Sequence, residues 1–409
     1  MTTFPFSRRD LLAAGLAGGA LMASSRVLAV PALGSQRLLV VFLRGAYDAA
    51  NIVVPVSSDF YYAARPTIAI ARPDPANPKA ALPLDGDWGL HPALAESLYP
   101  LWQKRQLAFV PFAGTDDMSR SHFETQDTIE LGQPLAGSRD YRSGFLGRLA
   151  GTLGATGCHP IAFSNQVPIA FHSASLQVPN LAVNIVTKPS FDARQQKLIE
   201  AMYATPTAQA LAPQVAVTQG FSVREEAYGA LQDEMVKASR GAVNARGFEA
   251  QARRIAALMQ DRFNLAFLDV GGWDTHTNQG AADGALANRI GDLGRGLAAF
   301  AQASGPQWTD TTVIVISEFG RTFRENGDKG TDHGHGSTYW VLGGGVRGGR
   351  MVGPQVRLSA DTLNQQRDLP VLTDYRALLG GIFARLYGLG PQQVSAVFPG
   401  MQPVDLGLV

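Results

Sequence analysis

Four polar stretches hold the residues able to do chemistry: Ser119-Arg120-Ser121-His122, Asp274-Thr275-His276, Glu318, and Asp332-His333-Gly334-His335. Asp274, His276, Glu318, Asp332, His333 and His335 offer carboxylate oxygens and imidazole nitrogens without sulfur. That mixture suits hydrolytic divalent-metal centres rather than iron–sulfur or copper electron-transfer sites. The cofactor expected is therefore zinc, manganese, magnesium or calcium. Each pair taken alone reads equally well as loop hydrogen bonds and a helix cap, so the argument rests on bringing them together. In the first stretch, a serine beside a metal can serve as nucleophile. Arg120 can hold a phosphate or sulfate through two parallel hydrogen bonds, and a helix N-terminus favours an anion. The plainer reading of the same residues is a helix start, with Ser119 or Ser121 capping and Glu124 in the first turn.

Each stretch follows a run fit for a buried strand. Residues 37–43 are almost all apolar and open into 44–51, which ends beyond Asp48. Residues 107–112 empty into 114–122, residues 264–270 into 271–276, and the β-branched run 311–316 into 317–336. Uninterrupted apolar runs of this length are the pattern of parallel strands buried on both faces. Helical patterns lie between them, at 92–106, 123–131, 144–153 and 285–303, and a last helix capped by Thr373 runs to Tyr387. Strands alternating with helices predict an α/β fold with a doubly wound, mostly parallel sheet. Such sheets bind ligands beyond the carboxyl ends of their strands, so all four polar loops are expected along one edge. Short strands are expected in 160–186 and a peripheral helical region around 191–261. A hairpin is expected between 337–342 and 350–352. Gly343-x-Gly345-x-x-Gly348 formally matches a dinucleotide fingerprint, but no helix pattern follows it, so it reads as tight turns.

The 409 residues, 45% hydrophobic and 17% charged, allow one large domain with a sizeable core. A formal charge of +1 without a block of one sign leaves no electrostatic footprint for nucleic acid. A single cysteine, Cys158, excludes an intramolecular disulfide and a zinc knuckle. Ser7-Arg8-Arg9-Asp10-Leu11-Leu12, then an Ala/Gly-rich apolar stretch and Val27-Leu28-Ala29, reads as a twin-arginine signal peptide over 1–29. This predicts passage through the twin-arginine translocation machinery to the periplasm or exterior, with no stable membrane anchor after cleavage. The single domain would then be 30–409. A route that moves folded proteins is a common choice for those that acquire a metal or cofactor in the cytoplasm.

Several stretches together carry a resemblance: the paired-arginine leader, residues 42–48, Ser119 to Glu124, Gly272 to His276, Ser317 to Thr322, and Asp332 to Gly336 with Leu342 to Gly345. They resemble the bacterial "domain of unknown function 1501" family of exported proteins. That family in turn resembles the alkaline phosphatase and sulfatase superfamily. The resemblance implies an alkaline phosphatase-like fold, Asp48 as a ligand after the first strand, and Ser119 or Ser121 at the nucleophile position. It also implies Asp274 and His276 in one metal site, Glu318 where an Asp-His pair usually begins, and His333 or His335 as a late ligand. The chain departs from that pattern at Phe319, which stands where a histidine ligand is usual, and in the short Asp274/His276 spacing. These departures imply a one-metal centre or a site without catalysis. The function expected is an exported metal-dependent hydrolase of anionic phosphate or sulfate esters. The alternatives are a non-catalytic exported binding or assembly protein that retains the fold with a degraded metal site, and an oxidoreductase carrying a cofactor inserted before export.

Overall fold

The computed structural model describes residues 35–154, 157–164, 166–181 and 248–409. The leader and residues 191–247 of the expected helical region lie outside them. The chain lays down β1 (Arg37–Leu43), a small sheet of β2 (Val53–Val54), β3 (Leu82–Pro83) and β4 (Gly89–Leu90), then β5 (Leu107–Gly114) and β6 (Pro160–Phe163). There follow β7 (Leu265–Val270), β8 (Thr311–Ser317), β9 (Ser337–Gly343), β10 (Arg350–Met351) and β11 (Thr373–Asp374). Helices are α1 (Asp59–Ala64), α2 (Tyr99–Gln103), α3 (His122–Leu131), α4 (Phe145–Leu153), α5 (Phe248–Asp261), α6 (Ala285–Ser304), α7 (Tyr375–Tyr387) and α8 (Pro391–Val397).

The main sheet runs β10-β5-β9-β8-β1-β7-β6, with β11 also paired to β5. All pairings are parallel except those of β9, which is antiparallel to both β5 and β8. The sheet is thus mixed and mostly parallel. β1 lies between β7 and β8, and its side chains alternate between two cores. Leu39, Val41 and Leu43 face a core shared with Ile290, Leu293 and Leu297 of α6. Leu38, Val40 and Phe42 face one shared with Leu146 and Leu149 of α4 and Leu379 and Phe383 of α7. Helices cover both faces, which is why the strand reads as one unbroken apolar run.

Three local expectations are corrected. The expected hairpin does not form: β9 and β10 lie on opposite sides of β5 and pair with it, not with each other. Their connection wraps the start of β5, where Gly348 donates to Arg105 O and Gly349 to Leu107 O, both at 2.8 Å. A Cβ on Gly348 would lie 2.3 Å from Leu107 O, so only glycine passes there. The expected helix 92–106 is broken into a 3₁₀ turn at Pro92–Leu94 and the short α2. Pro100 limits the backbone before it and removes a donor. Asp374, not Thr373, caps α7, accepting from the Arg376 amide at 2.7 Å, while Thr373 pairs with β5. In the segment expected to hold short strands, the described residues give β6 and a 3₁₀ turn at Ile169–Phe171.

β1 carries the load of both cores. Leu39→Ala should therefore lower unfolding free energy by about 2–5 kcal/mol, read as a shift in the urea midpoint with unchanged slope. A change below about 1 kcal/mol would contradict the central placement of this strand.

Candidate metal centre

Because β1, β5, β7 and β8 are parallel, the loops after Leu43, Gly114, Val270 and Ser317 meet at one sheet edge. β9 begins at that edge and runs away from it, so the loop from Glu318 to Gly336 starts and finishes there. Two backbone bonds fold this loop back on itself: Gly320 donates to His335 O and Gly334 to Gly320 O, each at 2.8 Å. After β7, Trp273 is buried and donates from Nε1 to Val270 O at 2.9 Å, turning Asp274 toward β1. Gly45 makes room for this turn. Its φ is +114°, and a Cβ there would lie 2.9 Å from Asp274 N. His122 stands at the start of α3, capped by Ser121, which accepts from Glu124 N at 3.5 Å.

The loops bring three histidines to one carboxylate oxygen. Asp274 Oδ1 lies 2.9 Å from His276 Nε2, 3.3 Å from His333 Nε2 and 3.5 Å from His122 Nε2. His276 Nε2 and His333 Nε2 are 3.1 Å apart. One ligand atom each from His122, Asp274 and His333 falls within 4.8 Å of the others. Ligands bound at zinc-type distances in a tetrahedron stand about 3.3 Å from one another. The four separations around Asp274 Oδ1 and between His276 and His333, 2.9 to 3.5 Å, are near that value.

The other ring nitrogens fix the tautomers. His122 Nδ1 meets Glu318 Oε1 at 2.8 Å, His276 Nδ1 meets Asp332 Oδ1 at 3.2 Å, and His333 Nδ1 meets Arg120 O at 2.9 Å. All three partners are acceptors when the carboxyls are ionised, so each Nδ1 must carry hydrogen. In the neutral rings every Nε2 then presents a lone pair toward Asp274 Oδ1. His122 Nε2 is buried and finds no hydrogen-bond partner. Rings anchored through one nitrogen by a carboxylate or carbonyl are the usual arrangement of metal-binding histidines.

Charge distribution agrees with this. Burial alone would raise the Glu318 pKa, but hydrogen bonds from His122, Gln126 and the Gly45 amide outweigh it and hold the carboxyl below its ordinary range. The His122 pKa is raised, chiefly by its bond to Glu318. The His333 pKa is lowered, chiefly by burial. The Asp274 and Asp332 pKa values are both lowered, the cost of burial being exceeded by Arg321 at Asp274 and by Asn326 and His276 at Asp332. Phe319 stacks on His122 with centroids 5.0 Å apart and leans on His333. The position that lacks a ligand therefore supplies an apolar wall that fixes two of the rings.

The remaining expected site residues are placed nearby but engaged otherwise. Asp48 is 1% exposed and forms a bidentate pair with the fully buried Arg65 at 2.5 and 3.0 Å. Glu318 and Asp332 hold histidines from behind. His335 is buried, and burial lowers its pKa. Ser119 Oγ pairs with Thr125 Oγ1 at 3.1 Å and Ser121 is the helix cap. The Arg120 guanidinium is bound by Asp368 at 2.7 Å and Gln365 at 2.7 Å, and its left-handed backbone, φ +53°, presents its carbonyl to His333. Arg321 is 2% exposed and holds Asp274 Oδ1 at 2.6 Å. The sequence reading missed Gln126, Gln279 and Arg65. Gln126, four residues beyond His122 on the same helix face, had a positional signal; Arg65, in a loop-rich excursion, had none.

These features define an α/β protein whose histidine- and carboxylate-bearing loops gather beyond the carboxyl ends of parallel strands. The chain belongs to the family described as protein of unknown function (DUF1501), whose profile matches residues 35–398. No curated protein matches it.

The His122–Glu318 pair has a testable pH signature in chelator-treated protein. The raised His122 pKa contributes stability below the unfolded histidine value and loses it as pH rises through the folded value. The lowered Glu318 pKa contributes above the unfolded glutamate value and loses it as pH falls. The stability gap between wild type and His122→Ala should thus be widest at about pH 4.5–6.5 and shrink on either side. A gap that grows steadily to about pH 9 would contradict the pairing.

Proposed function

We propose that this chain is an exported, divalent-metal-dependent hydrolase of phosphate or sulfate esters. The observation that carries the reading is the convergence of three Nε2 atoms on Asp274 Oδ1, each ring held by a partner on Nδ1. His122, His276, His333 and Asp274 would hold the ion. When bound, a divalent ion supplies a Lewis acid that polarises an ester oxygen and lowers the pKa of a hydroxyl or water. Asp274 and His276 are each about two-fifths exposed, so the cluster is open to a substrate. Arg321 steadies Asp274 rather than the substrate, since its donors are committed to Asp274 and Thr331. Arg120 is likewise held by Asp368. Arg289 is exposed, has no ion pair among the described residues, and lies with Nε 3.4 Å from where a Cβ on Gly272 would sit. It is a candidate cation for an anionic ester.

A second reading has its own support. Both serines are held in local bonds, and Arg120 and Arg321 are both engaged. A binding or assembly protein that keeps a single ion for structure would need no more. Metal content by mass spectrometry, with an ester panel, separates the two. Wild type should hold about one equivalent of metal and hydrolyse an anionic aryl ester, and His333→Ala should lose at least about 90% of both. Metal without hydrolysis of any ester favours the second reading. Less than about a tenth of an equivalent in wild type would overturn both metal-based readings.

Export rests on the leader motif. Replacing Arg8 and Arg9 together by lysine should leave the protein as an uncleaved precursor in the cytoplasmic fraction. Unimpaired export of that variant would remove the twin-arginine proposal.

A further inference from the structure

Gln279 lies outside the cluster and is fully buried. Its Nε2 donates to Asp48 Oδ2 at 2.7 Å. Its Oε1 accepts from two hydroxyls, Thr275 at 3.0 Å and Thr331 at 3.2 Å. An ionised carboxylate only accepts, so the amide has one workable orientation. The two threonines are placed in the ligand loops themselves. Thr275 stands between Asp274 and His276, and Thr331 immediately precedes Asp332-His333.

The bonds around Gln279 close a ring. Thr331 N donates to Thr275 O at 3.1 Å, joining the two loops directly. Arg321 donates from Nε to Thr331 Oγ1 at 3.2 Å and from Nη2 to Thr331 O at 2.6 Å, while Nη1 holds Asp274. Behind Gln279, Arg65 donates two hydrogen bonds to Asp48 and also bonds Thr322 O at 3.0 Å and Phe323 O at 2.7 Å in the second loop. Every polar atom of the Gln279 amide side that faces Asp48 and the threonines is thus used inside a water-excluded region, where such bonds are strong and their geometry is narrow.

We propose that Gln279 is the positioning residue that sets the distance between the Asp274/His276 loop and the Asp332/His333 loop, and so the geometry with which the cluster meets an ion. This rests on the metal reading above. The loops are held close, with His276 Nε2 and His333 Nε2 3.1 Å apart. Imidazole nitrogens beside one carboxylate suit zinc, whereas calcium takes oxygen ligands. Gln279 therefore holds the two loops in register for such an ion, and the buried Asp48–Arg65 pair supports it from the first strand's loop.

The test uses the full mature chain, stripped of metal and titrated with zinc, cobalt and calcium against a chromophoric chelator. Gln279→Met keeps the length and removes the amide. It should bind zinc about 10- to 100-fold more weakly and give a weaker, shifted cobalt(II) visible band. Thr331→Ser keeps the hydroxyl and should restore binding to within about threefold of wild type. Should Gln279→Met fail to fold, Thr275→Val removes one arm of the ring and should weaken zinc by about tenfold. A folded Gln279→Met, or Thr275→Val, with wild-type zinc affinity and cobalt spectrum overturns the positioning role while leaving the metal reading intact. A wild type that binds none of the three ions overturns both.

Discussion

Lone pairs directed at a carboxylate oxygen repel one another, and a site that assembles three of them is stable only with a cation or proton among them. That constraint organises the carboxyl edge of this sheet. His122, His276 and His333 each commit Nδ1 to an acceptor behind them and turn Nε2 to Asp274 Oδ1. The acceptors come from different loops: Glu318 directly after β8, Asp332 in the returning segment, and the carbonyl of Arg120 before α3. The strained backbone at Arg120 has a use in this view, because it aims that carbonyl.

The scaffold delivers this arrangement through close backbone contacts. Gly45 lets the β1 loop approach Asp274 and donates its amide to Glu318 at 2.7 Å. Glu318 also accepts from Gln126 on α3, so one buried carboxylate joins β1, β8 and the helix that carries His122. Asp48 and Arg65 do the same work further back, a fully desolvated pair whose removal from one side would leave an unpaired buried charge. Phe319 packs the rings from the side. Among the described residues of the cluster, Asp274, His276 and Asp332 are the most exposed.

The strands and most helices were readable because burial on both faces leaves long apolar runs, as in residues 37–43 and 311–316. The single edge for the polar loops followed from parallel order. The gathering of Asp274, His276 and His333 was expected on the same ground, and His122 was singled out for chemistry though not as a ligand. Other features were not readable. The reversed direction of β9 depends on the loop 318–336 returning to the edge it left, and the placement of β10 on the far side of β5 depends on the glycine-rich connection after β9; no local pattern encodes either. The partner of Asp48 is an arginine in a stretch that reads as surface excursion, yet it is fully buried. Whether a carboxylate binds an ion or orients a ring depends on distances of an ångström, and Glu318 and Asp332 fall on the orienting side. Periodicity and spacing do not reach that resolution.

The central claim is the protonation pattern of the three rings, and nitrogen-15 NMR of histidine-labelled protein reads it directly. In chelator-treated protein at about pH 9, where ordinary imidazoles are neutral, the resonances of His122, His276 and His333 should report hydrogen on Nδ1 and a bare Nε2. Addition of zinc should then shift all three Nε2 signals together at one equivalent. Hydrogen on Nε2 in any of the three rings, or Nε2 signals indifferent to zinc, would contradict the account.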